Sequence, residues 1–300
     1  MIRERIEKRI GFLKEFLKDL KEPHKIKNLG DGIFALREGV FSYCFLITGE
    51  KKALIIDGGI GVPGIREKIG TVTGLPVIPV LTGASPWTAG SSGEFKCTYV
   101  SSKDLFLARI SNLPLLRKAL YTVDVFRILS GNGTLLTEKK GDFRSLEKEF
   151  PLEKDSERVI DLGSRKVYFS SIPGATKGGT AFRDGLTGKV FCGSAAGPLM
   201  ILFPVVSATA KEYYESVKAI RKAAGENSVY SRYAARPVMK TGIDEMESLM
   251  HSEANRGNSR DTSEPFRFVS SDRHIRFLLH FPARTERKPF KKKLREISGF

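Results

Sequence analysis

Over residues 1–22 apolar side chains recur every three or four positions. They are Ile2, Ile6, Ile10, Leu13, Leu17 and Leu20, with Lys, Arg and Glu between them. That spacing is the repeat of one helix face, and it predicts an amphipathic N-terminal helix ended by Pro23. From residue 31 the texture changes to short apolar runs broken by turns. Ile33–Leu36, Phe41–Thr48 and Ala53–Ile56 read as strands, the last two joined through Gly49-Glu50-Lys51-Lys52. Gly64–Gly70 reads as a helix, Pro76–Leu81 and Cys97–Val100 as strands, and 103–129 as a helix kinked or broken at Pro114. A Gly131-Asn132-Gly133 turn follows, with a short strand after it.

The second half repeats the pattern. Val159–Leu162 and Val167–Ile172 flank the turn Gly163-Ser164-Arg165, and Thr180–Phe182 and Val190–Cys192 flank Asp184-Gly185. Helices are predicted at 208–224 and 242–254, and strands at Val229-Tyr230, 266–270 and 274–281. The stretch 255–264 is polar and reads as a loop. Strands and helices mixed in two similar halves predict an α/β sandwich with helices outside. The expected organisation is an N-terminal helix over 1–23, one domain over 24–283 and a basic tail over 284–300.

Composition narrows the class. With 300 residues and 41% hydrophobic positions the chain can bury a large core. No apolar run reaches the roughly 20 residues that span a bilayer, so no membrane span is expected. The N-terminus lacks the pattern of a secretory leader. Three scattered cysteines, Cys44, Cys97 and Cys192, with no CxxC pair, argue against a disulfide framework and point to a reducing, cytoplasmic setting. Fifty basic residues against 34 acidic ones give a net charge of +16, which favours acidic partners such as an anionic small molecule or nucleic acid. The nucleic-acid reading is thinly supported. The densest basic stretch, from Arg284 to Arg295, interleaves only Phe290 as an aromatic, too little for a base-stacking platform.

The loops carry a resemblance. Ala53-Leu54-Ile55-Ile56-Asp57-Gly58-Gly59, then Val80-Leu81-Thr82 with Ala89-Gly90 and Gly93, then Ile172-Pro173-Gly174 with Thr176 and Gly178, then Phe191-Cys192-Gly193, follow in order along the chain. Their order and spacing resemble the metallo-β-lactamase superfamily over residues 25–255. The resemblance implies a four-layer αββα sandwich. It also implies a site where five His and two Asp hold one or two metal ions, usually zinc or iron. Neutral imidazole and carboxylate are good ligands for such ions, and an open coordination position activates water for hydrolysis.

The aligned ligand positions hold other residues here. They fall on Gly83, Ser85, Trp87, Thr88, Ala175 and Ser194, with the last His falling near Tyr233. Gly and Ala carry no donor atom, Trp offers only an N–H, and protonated hydroxyls are weak ligands. The four histidines, His24, His251, His274 and His280, lie outside these loops. No metal or other cofactor is therefore expected. Trp87 and Tyr233 either fold inward and fill the space left by the ligands or line a new site with Ser85, Thr88 and Ser194. Asp57, Lys177 and Arg232 are candidate ligand-binding residues in a pocket less negative than its relatives' sites.

Two function classes follow. In the first, the chain is a pseudoenzyme acting through binding or as a structural or regulatory partner, in an oligomer with itself or with an active relative. In the second, it is a metal-independent hydrolase, with Ser85, Thr88 or Ser194 as candidate nucleophiles, or an anionic-ligand-binding enzyme using the remodelled pocket. There is no G-x-S-x-G elbow and no P-loop, and sequence places no His near these hydroxyls.

Overall fold

The protein is described from a computed structural model over residues 24–38, 42–116, 139–152, 158–197, 199–203, 205–255, 267–271 and 276–280. The N-terminal helix expected over 1–22, the Gly131-Asn132-Gly133 turn and the basic tail lie outside the described residues.

Two sheets face each other. The first has seven strands in sequence order: β1 (His24–Asn28), β2 (Ile33–Glu38), β3 (Ser42–Thr48), β4 (Ala53–Ile56), β5 (Val77–Val80), β6 (Thr98–Val100) and β7 (Phe143–Ser145). Strands β1 to β4 pair antiparallel, and β4 to β7 pair parallel. Helix α1 (Ile65–Gly70) connects β4 to β5, and α2 (Leu105–Ser111) lies between β6 and β7. The short α3 (Leu146–Glu149) follows β7, its first turn capped by the Ser145 hydroxyl.

The second sheet has the order β13-β11-β10-β9-β8. Strands β8 (Arg158–Asp161), β9 (Lys166–Ser171), β10 (Thr180–Asp184) and β11 (Val190–Phe191) form an antiparallel meander. Helix α4 (Ala210–Ala224) then returns the chain to β13 (Val229–Tyr230), parallel to β11. Helix α5 (Lys240–Asn255) packs on α4. A smaller sheet joins β12 (Leu199–Leu202), parallel to β15 (Arg276–His280), and β14 (Arg267–Ser271).

Side-chain alternation explains the layers. Ile33, Ala35, Phe45, Ile47, Leu54 and Ile56 point from the first sheet toward Ile160, Val167, Phe169, Phe182, Phe191 and Tyr230 of the second. Phe191 stacks on Tyr230 with centroids 5.4 Å apart and meets Phe45 at 5.0 Å. Each such side chain, fully buried, contributes about 1.5–3 kcal/mol. The opposite face of the first sheet, with Leu36, Leu46 and Ile55, is covered by Ile65 and Ile69 of α1. The opposite face of the second, with Ala181, Val190, Cys192 and Val229, is covered by Tyr213, Val217 and Ile220 of α4 and Ile243, Met246 and Met250 of α5. This is the αββα sandwich expected.

Helix α2 begins at Leu105 after a 3-10 turn and stops at Ser111, and helical residues resume at Pro114, so the break falls where it was expected. Other elements differ from the sequence reading. Strand β1 reads as His-Lys-Ile-Lys-Asn, with one apolar residue. It forms because β2 offers an open edge with which its backbone pairs over its whole length. Strand β12 exists through pairing with the distant β15, a contact that no local pattern encodes.

Candidate functional site

The C-terminal ends of β4, β5, β9, β11 and β13 lie on one edge of the sandwich, and the loops leaving them form the site. At the end of β4, Asp57 adopts a left-handed backbone (φ 66°) and is 3% exposed. Asp tolerates this conformation better than most residues, and its carboxylate is fixed from the β5 loop. Thr82 donates its backbone N–H to Oδ1 at 2.8 Å and its hydroxyl to Oδ2 at 2.8 Å. Burial pushes Asp57 up to about 7 against these bonds and against the nearby Arg232 charge. Gly193, at φ 54°, sits against the same Thr82, where a Cβ would collide with the hydroxyl. Asp57 is thus sealed behind Thr82 and is not among the residues lining the cleft.

The cleft itself is small, about 30 Å³. It is lined by Thr82, Gly83, Ser85, Thr88, Ala175, Thr176 and Ser194, among others. Five of the seven altered ligand positions therefore meet there. The 83–88 loop is closed by Thr88, whose Oγ1 accepts from Ser85 N at 3.0 Å and donates to the Gly83 carbonyl. Ser85 Oγ and Thr88 Oγ1 lie 3.0 Å apart. Thr176 is 6% exposed, and its Oγ1 has no hydrogen-bond partner among the described residues.

The other two positions behave differently from expectation. Trp87 does not fold into the cleft. It is 43% exposed, with its carbonyl accepting from the Ser42 hydroxyl at 3.1 Å. Tyr233 lies over Gly197, whose missing Cβ makes room for the ring. The buried group here is Arg232, 9% exposed, which is not among the residues lining the cleft and reaches it through Ser194. Its guanidinium lies 4.2 Å from the Tyr233 ring centre and 5.8 Å from that of Trp87, a cation–π arrangement that holds both rings at the rim. Nε donates to Ser194 Oγ at 2.8 Å and Nη2 to the Tyr233 hydroxyl at 3.1 Å. Lys177 turns its ammonium to the Val205 carbonyl instead of the cleft. His24 bonds the Pro63 carbonyl at 2.9 Å and His251 packs on the Tyr214 ring, so neither lines the cleft.

Three supporting residues were not singled out from sequence. Asp104 sits where an N-cap of α2 belongs, yet its side chain makes no cap bond. It accepts instead from Ala84 N at 3.0 Å and Gly178 N at 2.8 Å, tying together the loops after β5 and β9. Asn112, the C-cap of α2, donates to the Ala89 carbonyl at 2.6 Å and accepts from Gly141 N at 2.7 Å. Glu38 is fully buried and takes the N–H groups of Ile60, Gly61 and Val62, each at 2.6 Å. Burial still pushes it up to about 7. The only local signal was a polar residue just beyond a strand or helix end; the partners are set by tertiary contacts.

The donor set does not fit a zinc or iron centre. Hydroxyls and a guanidinium occupy the loops, and among the described residues no group of three or more His, Cys, Asp or Glu could hold an ion. A wider cleft of about 710 Å³ lies between α4 and α5, on the other side of the second sheet's helical layer. Several of its charges pair with one another: Arg221 with Glu247 at 2.7 Å and Asp244 at 3.1 Å, Lys240 with Glu226 at 2.7 Å, and Lys218 with Glu215 at 3.2 Å.

No protein-family model matches the chain, and no curated protein matches it by sequence. Solved structures do match. The DIM-1 metallo-β-lactamase exposed to ceftazidime aligns with a TM-score of 0.50 and 11% identity, over 77% of this chain and 97% of the other. A metallo-β-lactamase from Pontibacter korlensis gives 0.51 and 11%, over 76% and 99%. A double mutant of the sec-alkyl sulfatase PisA1 gives 0.56 and 13%, over 78% of this chain and 42% of that longer one. With the two facing sheets, their outer helices and the strand-end loops, these likenesses establish that the chain has the metallo-β-lactamase fold.

Proposed function

We propose that this chain works by binding and not by metal-dependent hydrolysis: a pseudoenzyme on a hydrolase scaffold, serving as a ligand-binding or regulatory partner. The observation that carries the reading is Arg232. Its guanidinium is bonded to Ser194, the residue aligned with the bridging Asp of the family that the sequence resembles. A fixed cation beside that position repels a metal ion electrostatically, and the surrounding hydroxyls supply no anionic ligand. Serine chemistry gains no support either, since Ser194 already accepts from a cation and Ser85 faces a threonine hydroxyl in place of a base.

The test is metal analysis of protein purified without chelator, paired with an ester, thioester and phosphodiester hydrolysis panel. The expected result is metal far below one equivalent per chain and no turnover. One equivalent of tightly held zinc, iron or manganese, or hydrolysis abolished by chelator, overturns the reading.

A further inference from the structure

We propose that the small cleft is an anion site, in which the hydroxyls of Ser194 and Thr176 receive a halide or one terminal oxygen of an oxyanion beside the Arg232 guanidinium. The proposal rests on the binding role given above and names its ligand class.

Charge balance is the first argument. The chain buries another guanidinium, Arg165, at 6% exposure, and gives it a carboxylate: Nε and Nη2 bond both oxygens of Asp184 at 2.7 and 2.8 Å. Arg232 is buried almost as deeply but bonds only two neutral hydroxyls and lies against two neutral rings. Among the described residues it has no ion-pair partner. Asp57 acts on it only through space, with its oxygens engaged by Thr82. With Asp57 pushed up to about 7, the Arg232 charge is only partly balanced, and an anion in the adjoining cleft completes the balance.

Hydrogen-bond accounting is the second. Ser194 Oγ accepts from Arg232 Nε, which leaves its own proton to donate and makes it a better donor. Thr176 lines the same cleft, and its Oγ1 is sealed from solvent and has no hydrogen-bond partner among the described residues. A Cβ placed on Gly83 would lie 2.9 Å from that oxygen, so the missing side chain at position 83 is what leaves the hydroxyl facing open space. The third argument is size. About 30 Å³ holds one water-sized atom. A water would satisfy the hydroxyls but not the charge.

Trp87, the sole tryptophan, stands at the rim beside Arg232 and reports on the site. The experiment is a fluorescence titration of the full chain at constant ionic strength with sodium chloride, sodium acetate or inorganic phosphate. Saturable change is expected with at least one of them. Chloride alone identifies a free-halide site, and acetate or phosphate identifies an oxyanion terminus. Thr176→Val and Ser194→Ala keep the volume and should each weaken binding tenfold or more, while Arg232→Met should abolish it. Circular dichroism confirms that the variants fold, and the two hydroxyl variants suffice if Arg232→Met does not. No saturation with any of the three salts, or affinities unchanged in both hydroxyl variants, overturns the anion site. Metal content is measured separately, so a metal-free protein that ignores all three anions sinks this proposal alone.

Discussion

Single carboxylates show most clearly how burial and bonding compete in this protein. Glu38 and Asp57 are both pushed up to about 7 by burial, although each accepts several hydrogen bonds. Their folded forms keep protons that unfolded carboxyls release, so their contribution to stability is complete below about pH 4 and is lost as pH rises through about 7. Asp184 and Glu147 run the other way. Burial opposes their ionisation, but Arg165 and Thr187, and Ser101 and Ser102, hold them below the ordinary range. Those contributions are present at neutral pH and are lost on strong acidification. The stability these four groups supply therefore declines between about pH 4 and about pH 7. Thermal unfolding midpoints across that range should show the decline, and Glu38→Gln should flatten it. A midpoint that climbs steadily over the same range would contradict the assignment.

At the scale of elements, helix α4 is the support of the site. Ser216 Oγ donates to the Pro173 carbonyl at 2.7 Å, and Tyr213 Oη donates to the Ala195 carbonyl at 2.6 Å. The helix thereby fixes the loops after β9 and β11 that carry Ala175, Thr176 and Ser194. Its N-terminus is closed by a capping box between Thr209 and Glu212. Thr209→Ala should cost about 1 kcal/mol, read from urea unfolding. Tyr213→Phe should lower stability comparably and also weaken any ligand at Ser194. This helix was legible over 208–224 because its apolar spacing is local. So were the strands that end at Ile56, Val80 and Tyr230. The path of Arg232 into the site was not legible, since it depends on Ser194 and on a ring seated over Gly197, residues distant in sequence. Trp87 was misjudged for a related reason: bulk and hydrophobicity suggested an inward plug, whereas the guanidinium beside it keeps the indole at the rim.

The whole sandwich is fastened at the edge opposite the site. Besides Asp184, Arg165 reaches the first sheet, where Nη1 donates to the carbonyls of Asp31 at 2.6 Å and Thr48 at 3.0 Å. One guanidinium thus joins the β8–β9 turn, the end of β10, the β1–β2 turn and the end of β3. Asp184→Asn leaves a buried cation half-paired and should cost about 3–5 kcal/mol. The double change Arg165→Met with Asp184→Leu should cost clearly less than the sum of the single variants. Additive losses in chemical denaturation would show that the two residues act separately.

The gap between Gly83 and Thr176 also limits which side chains this cleft can accept. An imidazole introduced at position 83 meets the Thr176 hydroxyl at its first carbon and arrives beside a guanidinium that disfavours the metal it would serve. Thr176 must shrink or turn first, and Arg232 must go before a carboxylate at 194 has an ion to bridge. Each step alone loses packing or a hydrogen bond and restores no chemistry. A metal centre engineered into this cleft therefore needs these changes together, and no single one of them supplies it.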